Sequence, residues 1–281
     1  MNQWGPDRAE LGAELLRRCL PAEEITDDEL RASLFEDPDP STVIGHDDDR
    51  SFVGAVLRRH DQVVTVHLQV VAVDPDVRRQ GRGRELLGAV AQWGSTAGAS
   101  AVITGAGAPF YLWPGVDFTW TPALCFFESL GYVERRPGFN MRFADAFRAD
   151  APLGTEVRRV LDESDAQAVE AFATRHHANW VAELLRAIEH GTAFGGWQDD
   201  EVIGFACHSV NRLGWVGPMA THPERRSSGV GGALLSALTA DLRPLDRGFV
   251  EVAWVGPVSF YAKAADAQVS RVFRVLSRRL A

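Results

Sequence analysis

Cysteine is scarce in this chain of 281 residues, which contains three. Cys19, Cys125 and Cys207 are too far apart for a CxxC metal site or a small disulfide framework, so we expect buried thiols. Among the eight histidines only His176 and His177 are adjacent, and adjacent side chains diverge on a helix. We therefore expect no bound metal.

Long apolar runs and an excess of basic charge are also missing. No run approaches the ~18 residues that cross a bilayer, and the N-terminus has no basic region followed by an apolar core. The net charge is −9 with a pI of about 5.4, so neither nucleic acid nor a membrane is an expected partner. A chain that is 46% hydrophobic and 24% charged is expected to be soluble and cytoplasmic, with two globular domains.

One segment of the sequence is duplicated. Residues 73–87 (VDPDVRRQGRGRELL) align with residues 221–235 (THPERRSSGVGGALL) at a constant offset of 148 residues. So long an offset indicates duplication of a whole domain. The boundary is predicted near residues 148–153, where Pro152 and Gly154 interrupt the periodicity. The predicted domains are residues 1–150 and 153–281.

Each copy predicts a strand, a glycine-rich turn and a helix, because the X-Pro step favours extended backbone and the leucines that follow have helical spacing. Glycines let the backbone approach a ligand, and free N–H groups at a helix N-terminus bind phosphate oxygens. Arg78 and Arg226 add charge-assisted donors. The alternative is a turn whose glycines serve packing alone, which explains one copy better than both.

The spacing Arg-x-x-Gly-x-Gly is neither that of a nucleotide P-loop nor that of a dinucleotide fold. It resembles the pyrophosphate loop of the GNAT superfamily of acyl-CoA-dependent N-acetyltransferases. The resemblance implies an α+β fold with two tandem domains, each a central mixed, mostly antiparallel sheet flanked by helices and splayed between its fourth and fifth strands. It implies acetyl-CoA as cosubstrate, held by two sets of residues. These are Val71, Ala72, Val73, Arg78, Arg79, Gln80, Gly81, Arg82 and Gly83 in the first copy, and Met219, Ala220, Thr221, Arg226, Ser227, Ser228, Gly229, Val230 and Gly231 in the second.

Periodicity predicts further elements in both halves. Residues 1–6 are too short and too rich in glycine and proline for the strand that usually opens a GNAT domain. The predicted helices cover residues 7–20, 83–92, 165–174 and 181–190, and the predicted strands cover residues 51–59, 63–73, 157–161, 192–198, 202–210 and 215–221.

The resemblance also places a carboxylate and a tyrosine downstream of the second turn, at Glu251 on a strand and Tyr261 on a helix. Attack on a thioester needs a neutral amine, so Glu251 is predicted to act as general base. Tyr261, a phenol with pKa near ~10, is predicted to protonate the departing thiolate, and the backbone N–H groups of residues 219–221 to stabilise the oxyanion. The alternatives are a solvated glutamate on an exposed face and a core tyrosine.

The first half lacks this pair. Its candidate fifth strand, residues 101–104, carries no carboxylate, and Phe127 stands where the phenol is expected. Residues 106–118 form an aromatic, proline-rich segment with no counterpart in the second half, predicted either to line a pocket or to cap the core.

We predict an N-acetyltransferase acting on a primary amine of a small molecule, with its chemistry in the second half. Chemistry in the first half is the alternative within the class, because the first turn is more cationic. A non-catalytic acyl-CoA sensor or interaction module is the alternative outside it. The sequence leaves the acceptor and the oligomeric state open.

Overall fold

The computed structural model describes residues 1–280 of the chain. They form two compact units, one of residues 1–138 with the C-terminal residues from Val272 onward, the other of residues 139–271. Each unit is a mixed sheet flanked by helices, which confirms the predicted α+β class. The helices are α1 (Ala9–Cys19), α2 (Asp27–Phe35), α3 (Arg82–Thr96), α4 (Thr121–Ser129), α5 (Glu163–His176), α6 (Val181–Glu189), α7 (Val230–Leu242) and α8 (Val258–Ala265). The strands are β1 (Asn2–Gln3), β2 (Ser41–Gly45), β3 (Ser51–His60), β4 (Val63–Val73), β5 (Ala101–Thr104), β6 (Val116–Asp117), β7 (Val133–Ala144), β8 (Thr155–Arg159), β9 (Ala193–Gln198), β10 (Glu201–His208), β11 (Trp215–Thr221), β12 (Phe249–Val252) and β13 (Gln268–Arg279).

The sheet of the first unit has the order β1-β2-β3-β4-β5-β13. Only β4 and β5 pair in parallel. On one face, Val66 and Leu68 of β4 belong to a buried apolar cluster with Leu86 and Val90 of α3. On the other face, a Cβ at Gly54 would lie 2.5 Å from Leu34 of α2, so that helix packs closely against β3.

The sheet of the second unit has the order β7-β12-β11-β10-β9-β8, in which only β11 and β12 are parallel. Its core is an apolar cluster in which Leu234 and Leu238 of α7 join Val216, Val250 and Val252 of the sheet. Both units therefore repeat one plan: antiparallel strands, then a single parallel pair whose two strands are connected by the glycine turn and the helix that follows it.

Each unit takes its last strand from the other half of the sequence. Strand β7 ends in the second unit, where residues 141–144 pair with β12, and β13 ends in the first unit, where residues 277–279 pair with β5. The compact units therefore divide at residues 138 and 271. The boundary at residues 148–153, in the segment between β7 and β8, stays a prediction for the join of the duplicated sequences.

Most predicted elements have counterparts within a few residues, and the strand at residues 215–221 has the predicted bounds. The opening strand β1 has only two residues and pairs with Ile44 and Gly45 of β2, in keeping with the weak signal at residues 1–6. Within residues 1–280, no helix is both long and apolar enough to cross a membrane.

Candidate active site

The two glycine turns have nearly the same backbone. Gly81 and Gly229 precede α3 and α7 with φ angles of 86° and 95°, and two residues earlier Arg79 and Ser227 have φ angles of 65° and 61°. A left-handed conformation immediately before a helix favours glycine, which has no Cβ to clash. The predicted strand, turn and helix are confirmed in both copies.

The second glycine of each turn serves helix packing. A Cβ at Gly83 would lie 2.9 Å from the ring of Phe126, and a Cβ at Gly231 would lie 3.0 Å from the ring of Phe260. These two phenylalanines are therefore equivalent in the two units. It follows that the next residues, Phe127 and Tyr261, are also equivalent, as the sequence alignment predicts.

The parallel strands of each unit diverge beside the turn. In the first unit β5 pairs with β4 only from Val66 to Leu68, while β4 continues to Val73. In the second unit β12 pairs with β11 only at Trp215 and Val216. The splay implied by the GNAT resemblance is thus present twice.

A cavity of about 840 Å³ lies in the opening between β4 and β5, wholly within the first unit. One end is lined by the glycine turn with four arginines, and the middle by the edge of β4 that β5 leaves unpaired. The end at Gln69 of β4 and Thr104 of β5 is uncharged, and Thr119, Trp113 and Trp120 also line the cavity. Of the residues predicted to hold the cofactor in the first copy, all line this cavity except the exposed Gln80.

The arginines give the turn its positive charge. Arg79 and Arg84 are exposed and have no acidic partner among residues 1–280. Arg82 donates two hydrogen bonds to Asp48, at 2.8 and 2.6 Å, and these bonds lower the pKa of the Asp48 carboxyl to about 2. Arg78 donates from Nε to the carbonyl oxygen of Val73 at 3.0 Å. Two unpaired guanidinium groups and the free N–H groups of the first turn of α3 suit a bound anion.

A buried aspartate fixes the start of this turn. Asp74 is fully buried and accepts the N–H of Asp76 at 3.0 Å, which, with Arg50 and Arg18, lowers the pKa of its carboxyl. Arg18 of α1 lies 2.9 Å and Arg50 lies 3.3 Å from its oxygens. The end of β4 is thereby tied to α1 and β3.

The second turn is partly covered by its own chain. A Cβ at Gly229 would lie 3.2 Å from Pro152, and the N–H of Ala149 donates to Ser236 Oγ of α7 at 3.1 Å. The hydroxyl of Ser228 donates to the carbonyl oxygen of Arg225 at 2.6 Å. The segment before β8 therefore lies over the start of α7, and cofactor binding by Met219–Thr221 and Arg226–Gly231 stays a prediction.

Glu251 is buried, at 5% exposure, so the alternative of a solvated glutamate is wrong. Both of its oxygens are engaged: Oε2 accepts from Nε and Nη2 of Arg142 at 3.0 and 2.8 Å, and Oε1 accepts from Nδ2 of Asn140 at 2.7 Å. Asn140 Oδ1 accepts the N–H of Trp254 at 3.0 Å. This carboxylate links β12 to β7, and its action as general base stays a prediction.

Tyr261 is also buried, at 6% exposure, and belongs to the core cluster of the second unit. Burial raises the pKa of its phenol, which therefore stays protonated at neutral pH. The ring meets that of Phe260 edge to face, with centroids 4.9 Å apart. The core-tyrosine alternative describes this packing, and action as general acid stays a prediction.

The aromatic segment at residues 106–118 was predicted either to line a pocket or to cap the core, and different residues of it do each. Phe110, Tyr111 and Leu112 are buried as a cap, while Trp113 lines the cavity and donates from Nε1 to Glu23 Oε2 at 3.2 Å. Sequence reasoning missed Gln69, because a single polar residue inside an apolar strand gives no local signal of a site.

The chain matches the model of the acetyltransferase (GNAT) family twice, over residues 10–109 and 157–264. These matches cover more than half of the chain, and the protein belongs to this family. The duplication deduced from the two turns is confirmed as a pair of GNAT domains. No curated protein matches it in sequence.

Solved structures share the fold over almost the whole chain. A tandem GNAT protein from the clavulanic acid biosynthesis pathway has a TM-score of 0.72 at 16% identity, covering 99% of this chain and 98% of that one. A GCN5-related N-acetyltransferase from Sphaerobacter thermophilus has a TM-score of 0.69 at 17% identity, covering 99% and 95%. A glucosamine N-acetyltransferase region of a fungal multi-domain β-N-acetylglucosaminidase has a TM-score of 0.78 at 16% identity, covering 99% of this chain and 38% of the fungal protein. The chain thus spans less than half of that fungal protein, and at these identities the likeness concerns the fold alone.

Proposed function

We propose that this protein is an N-acetyltransferase that binds acetyl-CoA in the cavity of the first unit and transfers the acetyl group to a primary amine of a small molecule. One observation carries the proposal: a single cavity joins a cationic glycine turn at one end to an uncharged polar end at the other. This placement differs from the second-half chemistry expected from sequence.

The residues present fit the diphosphate and arm of acyl-CoA. Unpaired Arg79 and Arg84, with the first N–H groups of α3, match phosphate oxygens in charge and in donors. The edge of β4 from Val70 to Val73 is free of β5, so its backbone can bind the amides of an extended arm as an added strand would. The uncharged end then receives the acyl group.

Acetyl-CoA supplies an activated thioester when bound there. In the transfer an N–C bond forms, the C–S bond breaks, and the proton lost by the amine nitrogen ends on the sulfur of the released thiol. The chain contributes positioning, which is worth several orders of magnitude in rate, and Trp113 and Trp120 add apolar surface to the cavity lining. Phe127 cannot donate a proton, so solvent carries the proton and thiol release is expected to rise with pH as the acceptor amine loses its proton.

A second candidate function is acyl-CoA binding without turnover. Phe127 in place of a phenol favours it, since the cavity then has a cofactor site without a positioned acid. A third possibility is that acetyl transfer takes place in the second unit, which is favoured by Tyr261 at the position equivalent to Phe127.

The test uses matched glycines of the two turns. Gly81→Val and Gly229→Val put the same side chain into backbones with φ angles of 86° and 95°, so the backbone strain is similar. The new side chain at residue 229 also meets Pro152, and any added loss of stability there is measured by thermal unfolding. We expect Gly81→Val to weaken CoA binding by calorimetry about tenfold or more and to abolish thiol release across a panel of primary amines. Gly229→Val should stay within about twofold of the natural protein in both measurements.

Other outcomes separate the candidates. The reverse pattern would move the site to the second unit. Binding at the first turn with no thiol release from any amine would favour the non-catalytic module. Thermal unfolding of both variants controls for loss of fold.

A further inference from the structure

The extra residue of a β-bulge, Gln69, lies where β4 and β5 separate. Val70 pairs with Gly54 and Leu68 pairs with Ala55, so Gln69 has no partner of its own on β3. Gln69 is 4% exposed and is one of the residues that line the cavity. A bulge re-aims one side chain at a sheet position where pairing is interrupted.

The orientation of its carboxamide is fixed by the loop after β5. Nε2 donates to the carbonyl oxygen of Phe110 at 2.7 Å and approaches that of Gly107 at 3.4 Å. A rotation of the amide by half a turn would set Oε1 against those two carbonyl oxygens, which repel it. A Cβ at Gly107 would lie 2.7 Å from Nε2, so the loop leaves no room for a side chain there.

This arrangement leaves Oε1 buried without a hydrogen-bond donor among residues 1–280. A buried carbonyl oxygen without a partner is unfavourable, and a ligand that offers an N–H group at this point relieves it. His67, the nearest ionisable residue along the strand, does not provide a charged donor at this point. His67 lies 2.8 Å from the carbonyl oxygen of Gly105 through Nδ1, and burial lowers its pKa to about 4, so it is uncharged at neutral pH.

The face of β4 on which the Gln69 side chain lies decides whether the cofactor or the acceptor amine supplies the N–H donor. Val66 and Leu68 pack toward α3, the helix that carries the glycine turn, whereas the Gln69 side chain contacts the loop on the opposite side. An acyl-CoA anchored at the turn covers the α3 side of its own thioester. The nucleophile must then enter from the side of the loop.

We infer that Gln69 Oε1 accepts a hydrogen bond from the N–H of the acceptor amine, and that Trp113 and Trp120 contact an apolar or aromatic group attached to that amine. Their rings meet edge to face with centroids 5.2 Å apart, and both residues line the cavity. The acceptor class is therefore a primary amine on an apolar, preferably aromatic, carbon skeleton. This inference rests on the proposed function for its chemistry, but its binding step can be measured without turnover.

The probes are benzylamine and benzyltrimethylammonium, which are both cations at neutral pH and of which only the first has an N–H donor. With the natural protein saturated with CoA, calorimetry should give a dissociation constant about tenfold or more lower for benzylamine. In Gln69→Met, which keeps the length but removes the acceptor, the two probes should bind within about twofold of each other, with CoA affinity unchanged. Where thiol release occurs, kcat/KM for benzylamine should fall about tenfold while KM for acetyl-CoA stays constant.

Equal binding of the two probes to the natural protein overturns the inference, whether or not Gln69→Met folds. A Gln69→Met variant that weakens CoA as much as benzylamine also overturns it, because Oε1 then serves an amide N–H of the cofactor arm. If the natural protein binds CoA but releases no thiol with any amine, the proposed function fails while the probe comparison still decides the role of Gln69.

Discussion

The buried carboxyl of Glu183 makes the stability of the second unit depend on pH. Glu183 lies on α6 at 5% exposure. Burial raises the pKa of its carboxyl from 4.5 to about 8, against the lowering effects of the Asn211 hydrogen bond at 3.2 Å and of the charge on Arg186. The folded protein therefore keeps this proton well above the pH at which the unfolded chain loses it.

The sign and size of the effect follow from proton linkage. Below pH 4.5 both states hold the proton, so Glu183 contributes no pH dependence. Between the unfolded and folded pKa values the folded state binds more protons, so the free energy of unfolding falls by about 1.4 kcal/mol per pH unit as pH rises. At pH 7 the loss amounts to roughly 3 kcal/mol.

Glu183→Gln removes the ionisation and keeps the shape of the side chain. In urea unfolding followed at pH 5 and pH 7, the stability of the variant relative to the natural protein should rise by about 2.5 kcal/mol between the two values. Glu189→Gln, an exposed position on the same helix, should show no such change. Parallel pH profiles of stability for Glu183→Gln and the natural protein would contradict a raised pKa of the Glu183 carboxyl.

Three further changes have defined outcomes. Arg142→Met leaves Glu251 buried with one of its two partners and should lower the free energy of unfolding by roughly 2 kcal/mol in urea; an unchanged value would contradict the ion pair. Gly88→Ala on α3 should raise the free energy of unfolding by about 0.5–1 kcal/mol, because a Cβ there meets nothing within 4 Å. Gly83→Ala should give no such gain, because its Cβ would lie 2.9 Å from the ring of Phe126. Equal gains for the two variants would contradict that packing. Tyr261→Phe should leave thiol release within about twofold, and a loss of about a hundredfold would place the chemistry in the second unit.

Matched variants separate these effects from general loss of stability. Arg136→Met removes an exposed arginine of the same strand β7 and controls for Arg142→Met. Tyr132→Phe controls for Tyr261→Phe, because its buried hydroxyl has no partner among the described residues and the residue lies outside the cavity lining.

The glycine turns could be predicted from sequence because their determinants are local. Pro75 and Pro223 fix extended backbone before them, and Gly81 and Gly229 permit the left-handed φ that starts each helix. The α+β class and the equivalence of Phe127 with Tyr261 follow from the same repeat. The start of helix α2 also has a local signal in the sequence, because Thr26 and Glu29 form a capping box there. This helix was not among the predicted elements.

The exchange of β7 and β13 and the difference between the two turns could not be predicted locally. A strand of alternating residues shows that it pairs, but its partner is chosen by contacts far along the chain. The two turns have the same motif, yet Pro152 covers Gly229 while the first turn opens into a cavity. Gln69 becomes a site residue only because the register of β3 against β4 slips by one residue there.

A crystal structure of the protein grown with CoA would show directly which glycine turn binds the diphosphate. We expect density for the diphosphate at Gly81–Gly83 with Arg79 and Arg84 around it, and for the thiol end beside Gln69 and Thr104. Density for the diphosphate at residues 229–231, or its absence from the first turn in crystals that contain CoA elsewhere, would contradict cofactor binding in the first unit.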